Sequence, residues 1–300
     1  MPTDAREDGP WSARLSDAAS DVLSRGSATP PTRGRSRLSA APGSLLNRAR
    51  RDPLGSKVPW IIPLFWAVKI ATTGAGEAGS DYLAHYGNIV GGGTELLLIV
   101  VGIALQYRAR RYSAFSYWFL AYAIAVFGTG IADFMHLDLH IPYLGTTILW
   151  AVVLSGVFVC WRRSEGTLSI HSVTTTRREV FYWCTVFATF ALGTALGDLT
   201  AVVVNLGYLG SIWLYAGLIL LPALAYLAFE ANSVVCFWTA YVLTRPLGAS
   251  VADYLRLHPR QRGAGVGDGP TFLIFTLVVV ALVAHLVAFR PDVQPEDPAT

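Results

Sequence analysis

Hydrophobic residues in this chain are grouped into long runs and are not spread evenly among polar positions. Each run is about 20 residues long, the length that an α-helix needs to cross the hydrocarbon core of a bilayer. We therefore predict an all-α fold, a polytopic membrane helical bundle with eight transmembrane helices. The predicted spans are 59–82, 89–107, 113–136, 142–161, 179–203, 206–228, 233–256 and 270–289.

One sequence pattern recurs in every odd-numbered span. It reads aromatic-Trp-x9-Gly-x3-small-Asp, and an internal repeat explains its fourfold occurrence. Its tryptophans and aspartates are Trp66 and Asp81, Trp118 and Asp133, Trp183 and Asp198, and Trp238 and Asp253. The glycines of the pattern are Gly76, Gly128, Gly193 and Gly248.

The repeating unit is a pair of helices, present in four tandem copies at approximately 57–107, 112–161, 177–228 and 232–289. Because each unit contains two spans, the copies should share one orientation and be related by an axis along the membrane normal. The Gly-x3-small step before each Asp lets helix backbones approach closely. We expect these faces, and the four aspartates with them, to meet at the centre of the bundle.

The composition agrees with a membrane domain spanning residues 57–290. Hydrophobic residues make up 53% of the chain and charged residues only 14%, against about a quarter in soluble domains. The net charge of +3 comes from residues 1–56, which are predicted to form a disordered cytoplasmic tail. Residues 291–300 are a short C-terminal tail. The balanced charge of the remainder argues against a nucleic-acid partner, and the lipid bilayer is the expected surrounding.

The positions of lysine and arginine predict the orientation in the membrane. Basic residues precede the first span and follow the second and fourth, as at Arg108 and Arg162, whereas the loops after the first, third and fifth spans have none. The positive-inside rule therefore places both termini in the cytoplasm of a cell whose inner membrane holds the protein. Arg256, Arg260 and Arg262 oppose this rule, because they fall in an outer loop.

Specific motifs within residues 57–290 are similar to those of a known family. The chain resembles bacterial multi-pass membrane proteins described as four tandem copies of a two-helix repeat of unknown function, each with a characteristic Trp. The resemblance implies an eight-span bacterial membrane protein and carries over no substrate. The motifs are Lys57-Val58-Pro59 leading into Phe65-Trp66, Gly76-Glu77, Gly193-Thr194-Ala195-Leu196-Gly197-Asp198, and Thr244-Arg245-Pro246-Leu247-Gly248.

Charged residues inside the predicted spans are the candidates for function. Charges in a bilayer cost roughly 2.5–3.5 kcal/mol each on the lenient insertion scale, so protons or a bound cation should compensate the excess of acids. Hard oxygen ligands favour Mg²⁺, Mn²⁺, Na⁺ or H⁺. The candidate ion-binding or proton-relay acids are Glu77, Asp81, Asp133, Asp198 and Asp253, and the charge partners are Lys69 and Arg245.

These acids leave several interpretations open. The favoured one is a gradient-driven, proton-coupled secondary transporter of a small cation such as a hard divalent metal, with no enzymatic activity, no cofactor and no protein partner implied. Alternatively, the aspartates only lock helix ends in a non-catalytic scaffold or sensor. An intramembrane aspartyl-type hydrolase is a third interpretation. His136, Asp138 and His140 could hold a metal in an outer loop, or could be solvated loop residues.

Overall fold

The structure is a computed structural model that describes residues 56–293. The predicted N-terminal tail, except for Ser56, lies outside the described residues, as do residues 294–300 of the predicted C-terminal tail. Over the described range the chain is helical and contains no strand, which confirms the all-α prediction.

Eight long helices make up residues 56–293. They are α1 (Pro63–Ala84), α2 (Gly87–Arg108), α3 (Ala114–Leu137), α4 (Tyr143–Glu165), α5 (Thr176–Asp198), α6 (Gly207–Phe229), α7 (Ser233–Arg256) and α8 (Asp268–Phe289). Seven of them, α2 to α8, are long and apolar enough to cross a membrane, which indicates a membrane protein. Helix α1 has 22 residues but carries three charged ones, Lys69, Glu77 and Asp81.

Three of the differences between the helix ends and the predicted spans follow from the local sequence or geometry. Helix α1 begins at Pro63 and not at residue 59, because a proline is favoured in the first helical turn. Helix α2 already begins at Gly87, whose φ of +80° suits glycine, so the Gly91–Gly93 run lies inside it. The predicted fifth span is split at Asp198, where α5 passes into a π-helical turn at Leu199–Val203.

The odd-numbered helices form the inside of the bundle. Helices α1, α3, α5 and α7 pack in a closed ring, in which α7 returns to α1. Each even-numbered helix lies outside and packs most closely on the odd helix of the following repeat: α2 on α3, α4 on α5, α6 on α7, and α8 on α1. Accordingly, 44–61% of the residues in an apolar 18-residue stretch of α3, α5 and α7 are buried, against 11–22% in the corresponding stretches of α2, α4, α6 and α8.

The repeated glycines lie where neighbouring odd helices touch. A Cβ on Gly76 would lie 2.8 Å from the carbonyl carbon of Ala125, and one on Gly128 would lie 2.9 Å from Cβ of Phe190. A Cβ on Gly193 would lie 2.5 Å from Cβ of Arg245, and one on Gly248 would lie 2.6 Å from Cγ2 of Thr73. Each glycine therefore meets the residue three positions before the next repeat's glycine, and the fourth contact closes the ring.

The aromatic residues of the pattern gather at the other end of the ring, where the odd helices begin. The ring centroids of Phe65 and Trp118 are 5.5 Å apart, and those of Tyr182 and Trp238 are 6.1 Å apart. The hydroxyls of Tyr117 and Tyr182 share a short hydrogen bond. All four aromatic-Trp pairs belong to this one buried cluster, so the odd helices start at a common level.

We expect Gly76→Ala to destabilise the protein although alanine is the better helix former. The added methyl group meets the α3 backbone, and overpacking of this kind costs about 1–3 kcal/mol. A lowered midpoint of thermal unfolding, followed by tryptophan fluorescence in detergent, is the expected result. Gly92→Ala is the matched control, since nothing lies within 4 Å of the added Cβ. Equal midpoints for the two variants would contradict the close contact.

Candidate functional site

A buried ion pair lies at the middle of the four-helix ring. Nη2 of Arg245 on α7 is 2.8 Å from Oε2 of Glu77 on α1, and both side chains are almost fully buried. The guanidinium also donates to the Thr194 hydroxyl at 2.7 Å and, in a short bond, to the Thr129 hydroxyl. Its Nη1 donates to the Thr73 carbonyl at 3.0 Å. One arginine therefore contacts side chains or backbone of α1, α3 and α5 from α7.

The partners of this arginine occupy one position of the repeat. Glu77, Thr129, Thr194 and Ala249 each follow the repeated glycine directly. The hydroxyls of Thr129 and Thr194 donate to Oε2 of Glu77 at 3.1 Å and 3.2 Å. The ring of four inner helices thus brings equivalent positions of the repeats together. Because the first repeat has a glutamate at this position where the others have threonine or alanine, the resulting layer is charged.

Three acids converge between this layer and the ends of α1 and α7. Glu77, Asp81 and Asp253 each offer an oxygen, and these oxygens all lie within 4.8 Å of one another. Nε of Arg256 lies 2.7 Å from Oδ2 of Asp81 and 2.8 Å from Oδ1 of Asp253. Its Nη1 is 3.3 Å from Oδ1 of Asp268 at the start of α8. A guanidinium therefore balances part of the charge of this acid cluster.

The other two repeat aspartates do not join the acid cluster. Asp133 and Asp198 are half-buried at the corresponding positions of α3 and α5. They are not within ligand distance of the Glu77, Asp81 and Asp253 group. The structure therefore brings together three of the five acids that the sequence singles out, and these three come from the first and last repeats.

Lys69 lies against aromatic rings and has no acidic partner within residues 56–293. Its Nζ lies 3.8 Å from the ring centroid of Phe190 and 4.2 Å from that of Tyr241. It is buried and makes no hydrogen bond among the described residues. Of the two predicted charge partners, only Arg245 is paired with an acid. Cation–π contact is the visible stabilisation of the lysine.

The predicted outer metal ligands have separate partners. His136 Nδ1 is 2.9 Å from the Ile141 carbonyl, and its ring stacks on Tyr143. Nδ1 of His140 lies 2.9 Å from the Asp138 carbonyl oxygen, while the Asp138 carboxylate accepts from Asn88 at 2.7 Å. Among the described residues, these three side chains do not form a group with ligand spacing.

Sequence reasoning missed three charged residues that the structure buries or half-buries. Arg256 was assigned to an outer loop, although its position three residues after Asp253 is the spacing of a helical ion pair. Glu179 is buried and paired with Lys57 at 2.9 Å. Glu95 is buried on α2 and accepts a hydrogen bond from Ser80 at 2.7 Å. Glu179 depends on a contact between repeats, and Glu95 depends on a contact between the two helices of one repeat; no local pattern signals either contact.

Asp292 follows the end of α8 and links that end by hydrogen bonds to the segments beside the aromatic cluster. Its backbone carbonyl accepts from the Trp60 amide at 2.7 Å, and its carboxylate accepts a short hydrogen bond from the Tyr112 hydroxyl. Burial raises the pKa of the Asp292 carboxyl above its ordinary value, and the Tyr112 hydrogen bond partly offsets that rise. The last helix is thereby joined to the segments that precede α1 and α3.

We expect Arg245→Met to destabilise the protein strongly. Removal of one partner leaves Glu77 as an uncompensated buried charge, which costs about 3–5 kcal/mol. The double variant Glu77→Gln/Arg245→Met should lose less stability than the sum of the single variants. Thermal unfolding in detergent measures this, with Arg262→Gln as the control because Arg262 is exposed and contacts Asn205. An Arg245→Met protein as stable as the control would contradict the central role of the pair.

Comparison with known proteins gives one family. Neither the curated proteins nor the solved structures include a match to this chain. The family model described as "Repeat of Unknown Function (DUF347)" matches four successive segments, at residues 64–112, 116–167, 181–232 and 236–291. These segments cover more than half of the chain and coincide with the four helix pairs, which confirms the resemblance drawn from the motifs. The chain belongs to the family of proteins built from DUF347 repeats.

Proposed function

We propose that this protein is a gradient-driven secondary transporter of a small, hard cation, exchanged or coupled with protons. The observation that carries the proposal is the acid cluster of Glu77, Asp81 and Asp253, whose oxygens lie within 4.8 Å of one another inside the helix ring. Carboxylate oxygens at such spacing suit Mg²⁺ or Mn²⁺. The proposed cargo is the cation itself, and no catalytic role is assigned to the chain.

The balance of charge inside the bundle supports a cation or proton as cargo. The inner helices carry six acids, of which Glu179 is paired with Lys57. Lys69, Arg245 and Arg256 are the bases that lie with the other five. Uncompensated negative charge in a low-dielectric interior is costly. A bound cation, or protons on some of the acids, would remove the excess.

The proposal includes α1 as an eighth membrane span and a common orientation for the four repeats. Two observations support these points. Lys69 and Glu77 of α1 are buried in the bundle, so α1 need not expose these two charges to lipid. The aromatic-Trp pairs lie in one cluster at the start of the odd helices, whereas Asp81 and Asp253 meet at the other end.

We further propose that both termini face the cytoplasm of a cell with this protein in its inner membrane. The basic residues before α1 and after α2 and α4 support that orientation. Arg256, which opposes the rule in the sequence, contacts Asp81, Asp253 and Asp268. Its charge is therefore compensated, and it is a weaker topological signal than a free loop arginine.

A non-catalytic scaffold is the alternative that a specific observation favours. Arg245 holds Glu77, and Arg256 holds Asp81 and Asp253. Pairs of this kind would also lock the helices of a protein that moves no ion. The two proposals differ in one measurable respect, because a scaffold predicts neither cation binding nor flux.

Labelling of single cysteines tests the number of spans. In a variant lacking Cys160, Cys184 and Cys236, we expect a membrane-impermeant maleimide to label Gln261→Cys in intact cells. Ser56→Cys and Arg110→Cys should react only after the membrane is permeabilised. If α1 does not cross the membrane, Ser56→Cys and Gln261→Cys will lie on the same side, contrary to the proposal.

Transport itself is tested with the full chain in proteoliposomes. We expect Mn²⁺ or Mg²⁺ uptake driven by a pH gradient, together with Mn²⁺ binding by the detergent-solubilised protein. Asp81→Asn should weaken binding at least about tenfold, roughly 1.4 kcal/mol, because it removes one charged ligand and leaves the Glu77–Arg245 pair intact. Glu77→Gln/Asp81→Asn should abolish flux.

The control for these variants is Asp138→Asn, which changes an exposed acid outside the cluster. Its binding and flux should equal those of the wild type. Absence of binding and flux in the wild type, with a normally folded protein, would reject the transporter and leave the scaffold.

A further inference from the structure

Glu95 is an acid that the proposed cation site does not use. It lies on α2, an outer helix in which only 17% of the residues of an apolar 18-residue stretch are buried. Its own side chain is nevertheless 6% exposed, because it is on the face of α2 that packs against α3 and α1. That face is otherwise made of Gly91, Gly102 and Gln106.

The carboxyl group of Glu95 lies in a close-fitting site between Ser80 and Gly130. Oε1 accepts a hydrogen bond from the Ser80 hydroxyl of α1 at 2.7 Å. On the opposite side Gly130 of α3 leaves the space in which the carboxyl lies, since a Cβ there would be 2.7 Å from Cδ of Glu95 and would overlap Oε2. The carboxyl is therefore held between two helices of the inner ring.

The charge environment separates Glu95 from the other buried glutamates. Glu77 and Glu179 are 3% and 1% exposed, and each is paired with a base, Arg245 at 2.8 Å and Lys57 at 2.9 Å. Glu95 is buried to a similar degree, and within residues 56–293 no lysine, arginine or histidine pairs with it. Its polar partner among these residues is the neutral hydroxyl of Ser80.

The titratable residues closest in sequence to the Glu95 contacts on α1 and α3 are acids. Next to Ser80 on α1 is Asp81, and three residues after Gly130 on α3 is Asp133. Arg256 already pairs with Asp81 at 2.7 Å, so within residues 56–293 an ionised Glu95 would carry a negative charge that no paired base balances. A hydrogen bond to a charged group contributes about 1.5–3 kcal/mol, whereas a charge in the bilayer costs roughly 2.5–3.5 kcal/mol, so the hydroxyl alone does not make the ionised form the stable one.

We propose that Glu95 is a proton-binding site, and that its carboxyl group takes up and releases the proton that is exchanged for the cation. The coupling part of this inference rests on the proposed transporter function, whereas proton binding does not. Protonation removes one negative charge beside the acid cluster, and deprotonation restores it. Ser80, which hydrogen-bonds to Glu95, is adjacent in the chain to Asp81, a proposed cation ligand. Helix α1 therefore connects the proton-binding site to the proposed cation site.

Carbodiimide labelling tests the proton without any transport. A hydrophobic carbodiimide adds to protonated carboxyl groups in apolar surroundings, and mass spectrometry of the full-length protein locates the adduct. We expect an adduct on Glu95 that decreases as the pH rises. Glu179 is the internal control, because it is equally buried but paired with Lys57, and it should stay unmodified. An adduct on Glu179 with none on Glu95 would overturn the proposal.

Infrared spectroscopy provides a second measurement that does not depend on reagent access. The carbonyl band of a protonated carboxylic acid should disappear from the pH difference spectrum of Glu95→Gln and persist in Glu230→Gln. Glu230 is exposed at the end of α6 and serves as the matched control. Identical spectra for the two variants would show that Glu95 holds no exchangeable proton.

Proteoliposome assays test the coupling. In Glu95→Gln we expect Mn²⁺ binding to remain, while uptake driven by the pH gradient falls about tenfold, within the usual range of coupling between two sites. Gly130→Ala, which keeps the acid but fills its close-fitting site, should reduce uptake in the same direction. If the wild type takes up the cation and both variants take it up equally well, the proposed role of Glu95 in coupling is wrong. A proton on Glu95 without wild-type uptake would reject the transporter and leave the proton site.

Discussion

The guanidinium of Arg245 holds the four inner helices together at their middle. It is fully buried on α7, and its three nitrogens donate to α1, α3 and α5 through the Glu77 carboxylate, two threonine hydroxyls and two carbonyls. A buried charge is tolerated only if its donors are satisfied. This residue therefore constrains the approach of the helices in addition to apolar packing, and the glycine contacts supply the short distances that its hydrogen bonds need.

The site is made by breaking the symmetry of the repeat. Thr129 and Thr194 occupy the same position in the second and third repeats that Glu77 occupies in the first. Because the ring brings these equivalent positions together, one glutamate is enough to create a charged layer. Arg245 arises in the same way, opposite Gly193, where the neighbouring helix has no side chain. The repeats provide the frame, and two substitutions in the outermost copies give it an ion pair.

The sequence predicted the number of helices and their pairing into repeats better than it predicted the partners of the buried charged residues. Apolar run length and the Trp–Asp spacing gave eight helices in four pairs, because both features are local. The close approach at the repeated glycines followed from the same spacing. Arg256 and Glu179 were missed because they pair with residues of the first repeat, Asp81 and Lys57, and Glu95 was missed because its partner, Ser80, lies on the other helix of its own repeat. Convergence of all four aspartates was expected, and only Asp81 and Asp253 share the cluster, since the charges of the first and last repeats differ from those between them.

The order of charges along the ring constrains any ion that uses it. From the aromatic end the inner residues are first Lys69, then Arg245 with Glu77, and then Asp81 and Asp253 with Arg256. A cation arriving from the aspartate end meets acids first, and beyond them two bases repel it in a low-dielectric interior. Passage to the aromatic end would require those bases to move or lose charge. Lys69 is less constrained than Arg245 in this respect, because no acid within residues 56–293 pairs with it and it is stabilised by contact with aromatic rings.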